Sequence, residues 1–135
     1  MRLPKLAYGA AALGSAALLC LTQQSASAAT PVAWSAQYGG ASASGTRWTE
    51  GDSMHPSLKI QGEVKNADSG CYSVWVTWNF DMTPWGVKKV ASLCGPGTKA
   101  FTDSERILSP GDSGRLAICR GDERKECGTP VHVMG

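Results

Sequence analysis

The chain has 135 residues and a formal net charge of +2, with 13 basic and 11 acidic residues. Two of the basic residues, Arg2 and Lys5, belong to a targeting segment, and without them the basic and acidic counts are equal. A neutral chain with no basic stripe offers nothing to hold a row of phosphates, so we expect no nucleic acid partner.

Residues 1–29 are typical of a secretory signal peptide. A short positive region precedes an apolar run rich in Ala and Leu, and Ala26-Ser27-Ala28 is a cleavage motif. The apolar run is short for a membrane span and no second long one follows, so we expect a secreted, extracellular protein that is not in the membrane. A lipoprotein anchored at Cys20 is the rival interpretation, but Leu19 stands where a small residue is expected. Cleavage leaves about 106 residues, the size of one domain.

Four cysteines remain once the signal peptide is removed. An even count in a short exported chain predicts two disulfides. No two of these cysteines have the C-x-x-C spacing of a structural zinc site, so we expect no metal and no cofactor. The four are Cys71, Cys94, Cys119 and Cys127.

The mature chain begins with a segment of small residues, 30–45. Because Ala, Ser and Gly bury little apolar surface, we expect a flexible N-terminal arm or an edge strand there. We expect the remainder, 46–135, to form a single β-sandwich domain. It opens with strand residues at Thr46–Glu50, which a Gly-Asp-Ser turn signal follows.

Two clear strand patterns come next. Leu58–Val64 alternates apolar and polar residues, and Cys71–Phe80 alternates β-branched or aromatic residues with a mixed face. The turn residues of 66–70 separate them. If the two strands pair as a hairpin, Val64 lies opposite Tyr72 and both apolar faces point to the same side. The core-facing residues of the second strand are then Tyr72, Val74, Val76, Trp78 and Phe80.

Turn residues divide the rest of the chain into short segments. Pro84-Trp85-Gly86 marks a loop, and Gly95-Pro96-Gly97 and Pro110-Gly111 mark turns. Short strands at roughly 10-residue spacing predict an all-β fold, a small antiparallel, disulfide-stapled β-sandwich of about seven strands. The further strands predicted are 87–94, 98–102, 116–120 and 131–134.

The chain contains five tryptophans. Alternation directs Trp78 into the core, which leaves four that could line a sugar- or protein-binding surface. Trp85 is the best surface candidate because it lies between Pro84 and Gly86 in a loop. Trp75 is more simply explained as cover for the second face of its sheet. The four are Trp34, Trp48, Trp75 and Trp85.

Catalytic patterns are weak, so we expect no enzyme. There are two histidines, His55 and His132, and Asp52 lies near the first, but spacing alone does not make a catalytic triad. The tripeptide Arg120-Gly121-Asp122 matches an integrin-binding sequence, although alternating charge is also typical of a solvated loop. Arg120 and Asp122 therefore join Trp48 and Trp85 as candidate binding residues.

Three stretches, Asp68–Cys71, Leu93–Thr98 and Leu116–Arg120, resemble those of the small secreted two-disulfide β-proteins of streptomycetes, a type that includes the tendamistat-type α-amylase inhibitors. The resemblance implies a six-stranded type of β-sandwich and an inhibitor role. The mature chain departs from those inhibitors because it has no cysteine before Cys71. It also lacks their Trp-Arg-Tyr turn, and Arg47-Trp48 has the reverse order.

Two disulfide pairings stand as alternatives. Antiparallel pairing of the strand that Cys71 opens with the strand that Cys94 closes brings these two together, which favours Cys71 with Cys94 and Cys119 with Cys127. The resemblance implies Cys94 with Cys119 and Cys71 with Cys127.

The expected function is that of a secreted, non-enzymatic binding protein, an inhibitor of an extracellular hydrolase, because pre-ordered loops lose little entropy on binding. The alternative is a cell-envelope or carbohydrate-binding module that uses exposed tryptophans. The partner is accordingly an extracellular protein or a glycan, and we expect a monomer.

Overall fold

The computed structural model describes residues 29–81 and 86–134. The segment predicted to be a signal peptide, up to residue 28 and including Cys20, lies outside these ranges, as does Trp85. The described residues form nine strands, β1 Val32–Tyr38, β2 Ala41–Glu50, β3 Ser57–Asn66, β4 Cys71–Asn79, β5 Gly86–Cys94, β6 Gly97–Arg106, β7 Ser113–Arg120, β8 Glu126–Cys127 and β9 Val131–Met134. Nothing in the described part of the chain is a helix of the length and apolarity that crossing a bilayer requires.

The described strands make two antiparallel sheets. The first sheet has the order β1-β2-β3-β6, and the second has the order β5-β4-β7-β8 with β9 also paired to β7. The sheets face each other across one core, which confirms the predicted small, disulfide-stapled, all-β sandwich. Two disulfides are typical of proteins that mature in an oxidising compartment.

The hairpin predicted between Leu58–Val64 and Cys71–Phe80 is wrong. β3 pairs with β2 and β6, whereas β4 pairs with β5 and β7 in the other sheet. The 66–70 turn carries the chain from one sheet to the other. Both apolar faces still point to the same core, but they meet face to face across the sandwich instead of lying side by side.

The core is built from the inward face of each strand. On β4, the inward residues are 0–2% exposed, as the alternation predicts. Phe80 lies just after the strand and is partly buried against this core. The largest contributions come from Leu58, Ile60, Val64, Tyr72, Val74, Val76, Trp78, Leu116, Ile118 and Val133.

Residues 30–45 contain β1 and the first half of β2. β1 is the edge strand of the first sheet, and β2 pairs along its length with β3. Alternate residues of this segment, Trp34, Ala36, Ala41 and Ala43, are buried in the core. The folded domain therefore begins at β1, before residue 46. The small residues of this segment leave space in the core for the Trp34 side chain.

Edge contacts close one side of the sandwich between β5 and β6. The Lys88 ammonium lies 2.8 Å from Asp103 Oδ1 and 3.6 Å from Glu105 Oε2. The hydrogen bond to Asp103 raises the pKa of Lys88 above its ordinary 10.5. These side chains connect β5 and β6, which lie in different sheets and are not paired with each other.

The disulfides join Cys71 to Cys94 and Cys119 to Cys127. In each pair the two residues stand directly opposite each other on neighbouring antiparallel strands. The local pairing favoured by the strand argument is therefore confirmed. The pairing that the resemblance implied, Cys94 with Cys119, is not formed.

Peptide mapping without reduction should reproduce this connectivity. Trypsin cuts after Lys88 and Lys89, between the first two cysteines, and after Arg124 and Lys125, between the last two. The Cys119 and Cys127 peptides should therefore stay linked only to each other, and treatment with a reductant should separate them. A mass that joins the Cys94 peptide to the Cys119 peptide would contradict the fold described here.

Candidate binding surfaces

Three of the four candidate binding residues predicted from sequence lie in the described part of the chain, on three separate surfaces. Trp48 is on the outer face of the first sheet, because its neighbours on β3 alternate with the buried residues Leu58 and Ile60. Arg120 lies at one end of the sandwich, and Asp122 lies beside the outer face of the second sheet. Trp85 is outside the described residues. The structure does not bring Trp48, Arg120 and Asp122 together.

Arg120 packs into an aromatic and acidic cluster. Its guanidinium lies 5.9 Å from the ring centroids of both Tyr38 and Tyr72. The Tyr72 hydroxyl donates to Asp68 Oδ2 at 2.7 Å and accepts from the Gly40 amide at 3.1 Å. Arg120 therefore helps to tie the β1–β2 turn, the 66–70 turn and the end of β7 to one another.

The Asp68 carboxylate at the centre of this cluster makes stability depend on pH. Hydrogen bonds from the Tyr72 hydroxyl and the Gly70 amide hold the pKa of Asp68 below its ordinary 3.8, and the Arg120 charge acts in the same direction. A lowered pKa means that the folded state binds the proton less readily than the unfolded state does. The stabilisation is therefore complete above about pH 3.8 and is lost as the pH falls through the folded value.

Thermal unfolding of the Asp68→Asn variant checks this. The wild-type protein should melt at a higher temperature near neutral pH, and the difference should shrink as the pH drops below about 3.8. Tyr38→Phe is the control, because it keeps the aromatic ring beside Arg120 and leaves the Asp68 carboxylate unchanged. Its difference in melting temperature from the wild type should not depend on pH in this range. A difference between wild type and Asp68→Asn that stays constant down to about pH 2 would show that the charge of Asp68 does not stabilise the fold.

Asp122 points to a different side of the second sheet from Arg120. Its carboxylate lies 2.7 Å from Lys89 Nζ. Lys89 stands opposite Trp75, and its ammonium is 5.7 Å from the centroid of the Trp75 ring. The Arg120-Gly121-Asp122 tripeptide thus has its two charges held in separate contacts.

A groove runs along the outer face of the second sheet, and we call it the Trp75 groove. Because Val74, Val76 and Trp78 face the core, Trp75 and Thr77 face outward on the same strand. Their partners on β7 are Ala117 and Arg115. The groove has a volume of about 370 Å³ and is lined by Trp75, Thr77, Arg115, Ala117, Arg124, Cys127 and Pro130.

Hydrogen bonds hold the walls of the Trp75 groove in place. Trp75 Nε1 donates to Ser73 Oγ at 2.8 Å, which fixes the indole along β4. A guanidinium nitrogen of Arg124 donates to Thr77 Oγ1 at 3.0 Å, across the floor of the groove. The disulfide between Cys119 and Cys127 fixes the short strand β8 at the side.

Cationic side chains surround the Trp75 groove, although residues 29–135 contain as many acidic as basic residues. Lys89, Arg115 and Arg124 lie around it, and the nearby carboxylate of Asp122 is bound to Lys89. His132 stands opposite Arg115 on β9 and is also exposed. The groove therefore offers cationic side chains together with an aromatic ring.

A second groove, the Trp48 groove, lies on the outer face of the first sheet. It has a volume of about 570 Å³, and its outward side chains are Trp48, Lys59, Gln61, Thr102 and Ser104. Trp48 Nε1 donates to Glu50 Oε1 at 2.7 Å, and Lys59 Nζ donates to Ser104 Oγ at 2.9 Å. Ile60 and its β6 partner Asp103 also line the groove. The Ile60 side chain is buried on the opposite face and the Asp103 carboxylate is bound to Lys88 between the sheets, so both residues contribute their backbone to the floor.

Trp34 does not belong to either surface. The sequence placed it among the possible surface tryptophans, but it is 6% exposed and its ring centroid is 5.9 Å from that of Phe101. The reason is structural, since Trp34 occupies the inward side of β1 above two glycines. Trp34 is therefore part of the core.

The two histidines lie in separate parts of the fold, His55 in the turn before β3 and His132 on β9. Asp52 Oδ1 accepts hydrogen bonds from the amides of Met54 and His55, and His55 Nδ1 lies 3.2 Å from the same oxygen. This is an exposed turn that the Asp52 side chain closes. His132 lies in the other sheet. Within residues 29–81 and 86–134, no group of three or more His, Cys, Asp or Glu side chains is placed to hold a metal ion.

Sequence reasoning missed the partners of Trp75. Alternation along β4 was enough to place Trp75 and Thr77 on the outward face. Arg115 and Arg124 are 40 or more positions further along the chain, and only the pairing of β4 with β7 brings Arg115 beside Thr77. The outward-facing Trp75 is the sequence signal for this groove, and predicting the groove from it also requires the order of the strands in the sheet.

The chain matches no protein-family model, and no curated protein sequence is significantly similar to it.

Proposed function

We propose that this protein is a secreted, non-enzymatic binding protein that inhibits an extracellular hydrolase through the Trp75 groove. One observation carries the proposal: Trp75, Arg115 and Arg124 line a single groove on a disulfide-braced sheet. Trp and Arg are among the residue types that supply most of the binding energy at protein interfaces. The partner surface that fits is an acidic one with an apolar residue to cover the indole.

Rigidity supports the same proposal. In the protein alone, the Trp75 side chain is hydrogen-bonded to Ser73 and the Arg124 side chain is hydrogen-bonded to Thr77. Side chains that are already ordered lose less entropy on binding, so more of the contact energy appears as affinity. The guanidinium groups of Arg115 and Arg124 at the groove would also favour the approach of an acidic partner.

Secretion rests on the signal peptide pattern and on the two disulfides. Intact-mass measurement of the protein from culture fluid should give a chain that starts at Ala29 or Thr30 with four cysteines oxidised. A lipidated species that starts at Cys20 and stays in the membrane fraction would contradict it.

The inhibitor function is tested against a panel of purified extracellular amylases and proteases. The protein should inhibit at least one of them at a near-stoichiometric dose. Trp75→Ala and Arg115→Ala should each weaken that inhibition about tenfold or more. Lys59→Ala, on the opposite sheet, is the matched control and should leave it unchanged. Inhibition of no enzyme in the panel would refute the inhibitor function, and full inhibition by Trp75→Ala would refute the groove as the contact.

A further inference from the structure

We propose that the Trp48 groove binds a neutral polysaccharide, independently of the Trp75 groove. The protein then has two binding surfaces: the outer face of the first sheet binds a glycan, and the outer face of the second sheet binds a protein partner. The proposal does not depend on the inhibitor function, because it uses different residues on the opposite sheet.

Strand register builds the polar part of this site. Trp48, Lys59 and Ser104 stand in one row across β2, β3 and β6. Thr46, Gln61 and Thr102 stand in the next row. Side chains of neighbouring strands in such rows have Cβ atoms about 5 Å apart, so hydroxyl, amide and ammonium groups form a closely spaced array. A sugar presents several hydroxyl groups along one edge, and such an array of polar side chains can contact more than one of them.

Trp48 supplies the aromatic platform. An indole offers a large apolar face at a low cost in conformational entropy, and its N–H needs a hydrogen-bond partner. The bond from Trp48 Nε1 to Glu50 meets that need within the protein. The ring is half-buried and held along β2, and it lines the groove beside the polar rows. A pyranose ring could therefore stack on Trp48 while its hydroxyls reach Gln61 and Thr102.

Charge decides the class of glycan. In the two rows that line the Trp48 groove, Lys59 is the charged member, and its ammonium already donates to Ser104. The next row outward carries Glu50 and Arg106 on either side of Ser57, one charge of each sign. The Trp75 groove, by contrast, is lined by two cations, Arg115 and Arg124, and by no acidic side chain among the described residues. An acidic polymer would be drawn to that face, and the Trp48 groove fits an uncharged one.

The polar surface extends beyond the groove. Along β2 the outward residues from Trp48 back to Ser42 cover about 20 Å at the usual rise per residue. They are paired with further polar residues of β3 and β6, as Ser44 is with Glu63 and Ser42 with Lys65. This length suits an oligosaccharide chain and not a single sugar.

Affinity electrophoresis of the mature protein through gels that contain hydroxyethyl cellulose, glycol chitin or laminarin tests the proposal. At least one of these neutral polymers should retard the protein, and about 0.5 M salt should not abolish the effect, because exposed ionic contacts are screened there. Trp48→Ala and Gln61→Ala should weaken the binding, the former about tenfold or more. Trp75→Ala, on the other sheet, should change it less than about twofold.

The possible outcomes separate this proposal from the inhibitor function. Retardation by none of the three polymers, or retardation that Trp48→Ala leaves intact, would overturn the glycan site. If Trp75→Ala weakened glycan binding as much as Trp48→Ala does, the site would not be confined to the first sheet, and the proposal would also be overturned. Inhibition assays with Trp48→Ala should remain normal, so a failed glycan site leaves the inhibitor function standing. Circular dichroism of each variant confirms that the fold is intact.

Discussion

Replacing Val76 with Asp should prevent the domain from folding. Val76 lies in the middle of β4, is 0% exposed, and stands between Lys88 on β5 and Leu116 on β7. The substitution removes apolar contacts and places a carboxylate in the core, where the ammonium of the neighbouring Lys88 is already bound to Asp103 and Glu105. An unpaired buried carboxylate costs more than about 4 kcal/mol. A domain of this size is stable by about 5–15 kcal/mol, so the loss is a large part of the total. The measurement is thermal unfolding followed by circular dichroism.

The matched control is Thr77→Asp on the next residue. Thr77 faces outward, and its hydroxyl accepts a hydrogen bond from Arg124 that a carboxylate can also accept. Its unfolding temperature should therefore stay close to that of the wild type. Equal unfolding temperatures for Val76→Asp and Thr77→Asp would contradict the assignment of the two faces of β4.

The strands were predictable because their pattern is local. Period-two alternation in β3 and β4 is set by which side chains face the core, and it can be seen without knowing the partner strand. The pairing of β3 with β4 was not predictable from the same pattern. Two amphipathic strands joined by a short turn can lie side by side or face each other across a sandwich, and both arrangements put their apolar faces in one core. The disulfide between Cys71 and Cys94 was predictable because it links strands that do pair.

The candidate sites were harder to predict because they depend on that pairing. Trp48 could be named from sequence, but Gln61 and Thr102 reach it only through the register of β2, β3 and β6. The same holds for Trp75 and Arg115 in the second sheet. A binding surface on a sheet is formed across strands, so its members are far apart in the chain.

The burial of Trp34 shows another limit of local reasoning. A segment rich in Ala, Ser and Gly was expected to bury little. In the structure, Trp34, Gly45, Gly62 and Phe101 stand in one inward row of the first sheet. A Cβ on Gly62 would lie 2.5 Å from Trp34 Cζ2, so the indole lies over a glycine where any side chain would collide with it. The small residues therefore make the space that the Trp fills.

Trp78 in the second sheet uses glycine in the same way, and this leads to a prediction. Trp78 stands between Gly86 on β5 and Gly114 on β7. A Cβ on Gly114 would overlap Trp78 Cζ3 and lie 2.7 Å from Cε3, whereas a Cβ on Gly86 would have no atom of the described residues within 4 Å. Gly114→Ala should therefore destabilise the fold by about 2 kcal/mol through overpacking, which corresponds to roughly 10 °C in unfolding temperature.

Gly86→Ala is the matched control for Gly114→Ala, because both residues flank the same indole and neither has a positive φ. Its unfolding temperature should be unchanged or slightly higher, since alanine restricts the unfolded chain more than glycine does.

A Trp78→Phe background supplies the second check. The smaller ring frees the space above Gly114, so Gly114→Ala should cost at least about 1 kcal/mol less there than in the wild type. The background itself is tolerable because Trp78 Nε1 is buried with no hydrogen-bond partner among the described residues, and Phe removes that group. If Gly114→Ala lowered the free energy of unfolding equally in both backgrounds, the Trp78 indole would not be packed against Gly114.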